Sequence, residues 1–159
     1  MKNLFLLLMA TFALAGYADA QKDESVLKLR AVKKIFVGEL GRTDNADIVR
    51  EKIKQRLNRT GVFSVVERKS EADAVLTGTV VIEKYFEDGS DCRSNDLKTE
   101  AVGFFYLRAA ATDELLWSYE YQPKAFDFAF YAHEAERVYN RVAESVVEKI
   151  RKDAGYKDK

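Results

Sequence analysis

The chain is expected to fold as an α+β two-layer sandwich, a mixed β-sheet packed by two amphipathic helices in the order β-α-β-β-β-β-α. Three observations predict this. Two stretches carry apolar residues at helical spacing, one near each end of the chain. Between and before them lie five short runs rich in β-branched and aromatic residues, separated by Gly, Asp and Pro. Each helix has a single apolar stripe and so must bury it against something, which two packed layers achieve.

The first twenty residues are set apart from this pattern. Lys2 supplies a positive start, Leu4 to Leu14 an apolar run of 11 residues, and Ala18-Asp19-Ala20 a small-x-small cleavage site, the three parts of a secretion signal. A run of that length falls short of the roughly 20 residues a bilayer core requires. The expectation is a signal peptide over 1–20, cleaved after Ala20, and one domain over 21–159. Leu14-Ala15-Gly16-Tyr17 has the form of a lipobox with Tyr17 in place of the acylated cysteine, so no lipid anchor is expected. The product would lie in the periplasm or outside the cell, with no transmembrane span after processing.

Loss of residues 1–20 removes one Lys and one Asp, so the 26 cationic and 26 anionic side chains become 25 of each. A chain without net charge has no global field to draw in nucleic acid. Hydrophobic residues make up 47% of the sequence and there is one Pro, a composition of packed rather than disordered chains. Cys92 is the single cysteine, so a disulfide within the chain is excluded and a disulfide to another chain stays open beside a simple free thiol.

Taken in order, residues 21–28 are polar and read as a lead-in. From Leu29 the pattern is strand-like, with Val32, Ile35, Phe36 and Val37 ended by Gly38 and Gly41. Thr43, Asp44 and Asn45 are candidate caps for a helix whose stripe is Ala46, Val49, Ile53 and Leu57, with Gly61 expected just past its end. Val62 to Val66 is a short strand. The charged stretch Glu67 to Asp73 leads to a longer strand over Ala74 to Tyr85, in which Gly78 marks a bulge or a close backbone approach. Glu87 to Asp96 is polar and reads as a loop. Glu100 to Thr112 is a strand, Asp113-Glu114 a turn, and Leu115 to Tyr121 its hairpin partner, stopped by Pro123. Tyr131, Ala135, Val138, Val142, Val146 and Ile150 form the stripe of a long closing helix, and the tail beyond Gly155 is expected to fray.

Several of these segments resemble a periplasmic group. Lys34-Ile35-Phe36-Val37-Gly38, Leu57-Asn58-Arg59-Thr60-Gly61, Phe63-Ser64-Val65-Val66-Glu67 and Ala72-Asp73-Ala74-Val75-Leu76-Thr77-Gly78-Thr79-Val80 are similar to the domain shared by curli secretion lipoproteins of the CsgG type, the penicillin-binding-protein activator LpoB and the N-terminal domain of TolB. The similarity spans roughly Val32 to Lys152 and implies the sandwich fold and an accessory role in the cell envelope. Tyr17 departs from the lipoprotein members. The 86–99 stretch departs too, being short and polar where a transmembrane hairpin needs strands of about 9–11 alternating residues.

Candidate chemistry is sparse. His133 is the only histidine, which excludes a multi-histidine zinc site, and no Gly-x-Ser-x-Gly elbow accompanies it. Glu87, Asp88, Asp91 and Asp96 lack the spacing of a calcium loop and read as a solvated stretch. Gly38-Glu39-Leu40-Gly41 lacks the Gly-Lys-Ser/Thr ending of a phosphate loop and reads as a turn. Asn58-Arg59-Thr60 is a glycosylation sequon at a helix end of a bacterial-looking chain. Arg50, Lys52, Lys54, Arg56 and Arg59 read as a solvated helix face rather than a phosphate-binding patch.

Neither catalytic residues, metal nor cofactor are therefore expected. The function expected is that of a non-enzymatic exported cell-envelope accessory or binding protein assisting secretion, envelope synthesis or surface-structure assembly. The alternatives are a structural subunit of an oligomeric envelope assembly and a small periplasmic hydrolase. Its partner would be an envelope protein or a second copy of the chain. Of the aromatic cluster Tyr119, Tyr121, Phe126, Phe128, Phe130 and Tyr131, the expected contact residues are Phe126, Phe128, Phe130 and Tyr131. They alternate at period two beside a helix, which turns some of them outward.

Overall fold

A computed structural model describes residues 26–88, 95–122 and 135–156. A short helix over 26–31 (α1) is followed by strand β1 (Lys34–Val37), helix α2 (Asp44–Arg59), β2 (Ser64–Val65), a 3-10 turn at Lys69–Glu71, β3 (Ala74–Asp88), β4 (Asn95–Ala109), β5 (Leu115–Tyr121) and helix α3 (Ala135–Asp153). One five-stranded sheet runs β2-β1-β3-β4-β5, with β1 parallel to both β2 and β3, and β3, β4 and β5 antiparallel. Helix α2 lies against α3 and reaches β1, β2 and β3, while α3 covers β4 and β5. The two-layer α+β sandwich read from the sequence is the observed fold.

The expected helices form for the expected reasons. Thr43 is the N-cap of α2, its hydroxyl accepting the Ala46 amide at 3.2 Å, and Gly61 takes φ +66° just beyond the last turn. The stripe Ala46, Val49, Ile53 and Leu57 is buried to 1% exposure or less. It meets Val138, Val142, Val146 and Ile150 of α3 in the same core as Leu76, Phe105, Leu107 and Trp117 of the sheet. Trp117 Nε1 donates to Asp153 Oδ2 at 2.9 Å and Tyr139 Oη to Asn45 Oδ1 at 2.8 Å, so α3 is fixed to the sheet edge at one end and to α2 at the other.

Three expectations are corrected. Residues 26–31 are helical instead of a lead-in and the start of a strand: Leu29 and Val32, three apart, turn to the same side and are 3% and 4% exposed. The polar loop at Glu87 to Asp96 is shorter than expected, because the β3–β4 ladder continues to the pair Asp88–Asn95. Backbone hydrogen bonds extend an antiparallel pair through polar residues once both strands are in register. In the tail beyond Gly155, expected to fray, Tyr156 is held, while 157–159 lie outside the described residues. Tyr156 packs edge-on against Phe63 at 5.9 Å between centroids, accepts from Lys33 Nζ at 2.5 Å and donates to the Arg30 carbonyl at 3.2 Å.

The Ala72-Asp73-Ala74 segment fastens the head of β1. Asp73 Oδ2 accepts the backbone amides of Lys33 and Lys34 at 2.9 and 2.8 Å, while its own amide and carbonyl bond Lys34 and Ala110. Replacing Asp73 with alanine is expected to cost about 1–2 kcal/mol, since two strand amides lose their acceptor at a site water can partly reach. Urea unfolding checks this, with Asp73→Asn expected to recover part of the loss.

Candidate functional site

The sheet has one covered face and one open face. Along β4 the odd positions Ala101, Phe105 and Leu107 are buried under the helices, and the even positions Val102, Phe104 and Tyr106 point away and are 42, 43 and 39% exposed. On β3 the residues opposite them are Val81, Thr79 and Thr77, with Val81 48% exposed. Val75 and Phe36, paired across β3 and β1, continue the same face. Aromatic and β-branched side chains facing one another across strands are the pairs that stabilise a sheet, and here Val81, Val102, Phe104 and Tyr106 form an exposed apolar patch, while Val75 on the same side is buried.

Charged residues border and interrupt this face. Lys34 and Arg108 lie where β1 and β4 flank Val75. Glu83 and Glu100 stand directly opposite one another further along the ladder, which runs on to Asp88–Asn95, and Glu120 on β5 is paired with Phe104 in the middle of the face. Like charges directly opposed on one face are unfavourable in an isolated sheet.

The sequence-derived contact residues Phe126, Phe128, Phe130 and Tyr131 lie outside the described residues, as do His133, Cys92 and Asp91. Of their aromatic neighbours, Tyr121 is 7% exposed and Tyr119 is half-buried and stacked 5.9 Å from Trp117, so both belong to the core layer. Glu87, Asp88 and Asp96 sit on the strand ends of the β3–β4 ladder. No group of three His, Cys, Asp or Glu that could hold a metal is found among the described residues.

The other motifs resolve into structural roles. In Gly38-Glu39-Leu40-Gly41 the carbonyls of Glu39 and Leu40 accept from Gly78 and Val80 at 3.3 and 2.8 Å, which prolongs the β1 edge along β3. Asn58 Oδ1 accepts the Val65 amide at 2.8 Å and the Thr60 hydroxyl donates to Leu57 O at 2.6 Å, joining α2 to β2. Three of the basic residues of α2 are ion-paired along its face: Lys52 with Glu136 at 3.0 Å, Arg56 with Glu144 at 3.3 Å, Lys54 with Glu51 at 3.0 Å. The hydrogen bond from Lys54, opposed by desolvation and aided by the charges of Lys54 and Arg50, holds the Glu51 carboxyl below its usual range. That pair supports the fold above the ordinary Glu range and is lost as pH falls through the lowered value. On a half-exposed side chain it contributes no more than about 0.5 kcal/mol.

Two open clefts adjoin α3. One of about 180 Å³ lies between Arg56, Arg59 and Thr60 of the α2 end and Glu144, Glu148 and Arg151. The other, about 280 Å³, lies between Tyr119 and Tyr121 and the α3 residues Arg141, Ser145 and Glu148. Arg56 and Glu144 in the first are paired with each other at 3.3 Å, and Tyr121 in the second is anchored in the core. The outer sheet face is the surface that the sequence reading missed. Its signal was present in Ala101 to Leu107, where apolar residues occupy both parities of one strand, a pattern of strands covered on both sides.

No protein-family model matches the chain, and no curated protein matches its sequence. Among solved structures, the PelC dodecamer from Paraburkholderia phytofirmans is similar at a TM-score of 0.52 and 18% identity, over 80% of this chain and 91% of that one. A chain from Caulobacter crescentus CB15, assigned as a lipoprotein, is similar at a TM-score of 0.50 and 13% identity, over 84% of this chain and 98% of its own. TolB from Acinetobacter baumannii is more distant, with a TM-score of 0.43 and 12% identity over 77% of this chain and 28% of TolB, and carries no argument. These likenesses concern the fold, and they place the open five-stranded sandwich among architectures found in PelC and in a lipoprotein-type chain. No described helix is long and apolar enough to cross a membrane.

Proposed function

We propose that this protein is a non-enzymatic accessory component of the bacterial cell envelope, exported by the signal at 1–20, released after Ala20 as one domain over 21–159, and free of lipid because Tyr17 occupies the acylation position. It acts through contact surfaces. The observation that carries this reading is the open sheet face around Phe104 and Tyr106, whose exposed apolar chemistry is that of macromolecular contact. The PelC and lipoprotein-type neighbours support the envelope setting, and the resemblance to the CsgG, LpoB and TolB group points the same way. Phe126, Phe128, Phe130 and Tyr131 are proposed as a second contact element, toward an envelope protein partner. A subunit role in a larger ring or assembly is the second reading, favoured by the dodecameric state of PelC.

Crosslinking in the native envelope, followed by recovery of the chain and mass analysis, tests the proposal. The expected result is a specific envelope protein in the recovered complex and a chain whose mass begins at Gln21 with no acyl group. Replacement of Phe126, Phe128 or Phe130 with Ser is expected to reduce that recovery while thermal stability holds. Recovery of the chain without any envelope protein would overturn the accessory role.

A further inference from the structure

We propose that the outer edge of β3 beyond Val80 accepts, by strand addition, an extended cationic segment of the envelope partner. The proposal names a surface and a partner chemistry within the accessory reading above, and rests on it. Its basis is the length of the β3–β4 ladder. On one side, the line of β1 follows β3 as far as Val80, whose amide donates to the Leu40 carbonyl at 2.8 Å before Gly41, at φ +128°, turns the chain away. On the other side, β5 follows β4 as far as Gly103, the partner of Tyr121. Val80 and Gly103 are themselves a pair, so both flanks stop at one rung. Eight rungs, from Val81–Val102 to Asp88–Asn95, run on with no flanking strand among the described residues. At about 3.4 Å per residue they form a two-stranded ribbon roughly 24 Å long. Two strands alone are marginally stable, and a third is what secures them.

The backbone of β3 shows which side can receive it. The Leu76 carbonyl accepts from Gly38, and the amides of Gly78 and Val80 donate to Glu39 and Leu40, so the even-numbered residues turn their N–H and C=O toward the β1 side. No register shift interrupts β3 against β4, and the alternation therefore continues. Ile82, Lys84, Phe86 and Asp88 turn theirs to the same side, where no described strand receives them. Four donors and four acceptors in line are the template to which an extended chain adds.

Charge selects the occupant. The whole chain balances 26 cationic against 26 anionic side chains, yet the ribbon holds five acidic residues, Glu83, Glu87, Asp88, Asp96 and Glu100, against the two lysines Lys84 and Lys98. A second copy added edge to edge would bring the same excess of negative charge to the same line. A segment with Lys or Arg at alternate positions brings the opposite sign, so main-chain bonds supply the attachment and charge supplies the choice of partner.

Titration of the purified chain with a blocked seven-residue peptide alternating lysine and valine tests this, read by fluorescence anisotropy of the labelled peptide and by amide hydrogen exchange. Saturable binding is expected, with slowed exchange at Ile82, Lys84, Phe86 and Asp88, and binding roughly tenfold weaker for a peptide alternating glutamate and valine. Lys84→Pro removes an amide that faces the edge and not the ladder, a position where proline is tolerated, and is expected to keep wild-type thermal stability and lose the peptide. Lys84→Ala, which removes the same charge but keeps the amide, is expected to bind it. The lysine–valine peptide N-methylated at successive central amides, which blocks both of its edges, is expected not to bind and decides the point without any variant. Absence of binding, equal binding of the acidic or the N-methylated peptide, or undiminished binding by a folded Lys84→Pro chain overturns the proposal. A wild type that dimerises in sedimentation velocity, and whose dimer Lys84→Pro abolishes, overturns it in favour of a second copy. A Lys84→Pro chain that recovers the envelope protein as well as wild type removes this edge from the contact and leaves the accessory role standing. A chain that binds the peptide but recovers no envelope protein removes that role and leaves the edge.

Discussion

Phe105→Ala is expected to lower the free energy of unfolding by about 3–5 kcal/mol, the range for a fully buried aromatic, out of a total of roughly 5–15 kcal/mol for a domain. Phe105 has no exposed surface and stands in the middle strand of the antiparallel half of the sheet, with Gly78 opposite on β3 and Tyr119 opposite on β5. Its ring lies over Gly103, where an added Cβ would come within 2.8 Å of it. Both neighbouring strands are held by the ladder, so the cavity left by alanine cannot close. Its sequence neighbour provides the control: Phe104 is 43% exposed on the opposite face, and Phe104→Ala is expected to cost under about 1 kcal/mol. Urea denaturation of both variants checks the pair. Equal losses would mean that the two faces of β4 are equally buried.

Gly78→Val should lose about 3 kcal/mol, at the upper end for overpacking, because the obstruction is backbone. A Cβ on Gly78 would overlap the Phe104 carbonyl oxygen and sit 3.1 Å from Phe105 Cα. Neither atom can rotate away, and moving either strand disturbs the longest ladder in the sheet. The clash is met at the first side-chain carbon, so Gly78→Ala should lose most of what valine loses. Denaturation midpoints decide this, and an alanine variant as stable as wild type would show that the ladder gives way there without cost.

Both sites were partly legible in the sequence. Gly78 stood out as a glycine inside a strand, and the helix stripes Ala46 to Leu57 and Val138 to Ile150 fixed which residues enter the core. What escaped had physical causes. Leu29 and Val32 are too few to distinguish a single helical turn from a strand start, and only the packing of Tyr156 and the core decides between them. The ends of β3 and β4 escaped because a polar ladder held by backbone bonds leaves no apolar period to read. The outer face escaped because Val102, Phe104 and Tyr106 are residue types that any strand favours, so composition alone does not mark them as exposed. A strand apolar on both parities implies a cover on each side, and the helices supply one.

The fastening at Tyr156 has a consequence for how the chain matures. Arg30 and Lys33 are bound by a residue more than a hundred positions later, and β1, wedged between β2 and β3, has its head closed by Asp73. A polypeptide that emerges from its N-terminus first must therefore hold its earliest segment unsatisfied until its last turn arrives. Contacts of such long sequence separation form late and slowly. During that interval α1 and the head of β1 lack the partners that Tyr156 supplies, and they close only when that C-terminal turn docks.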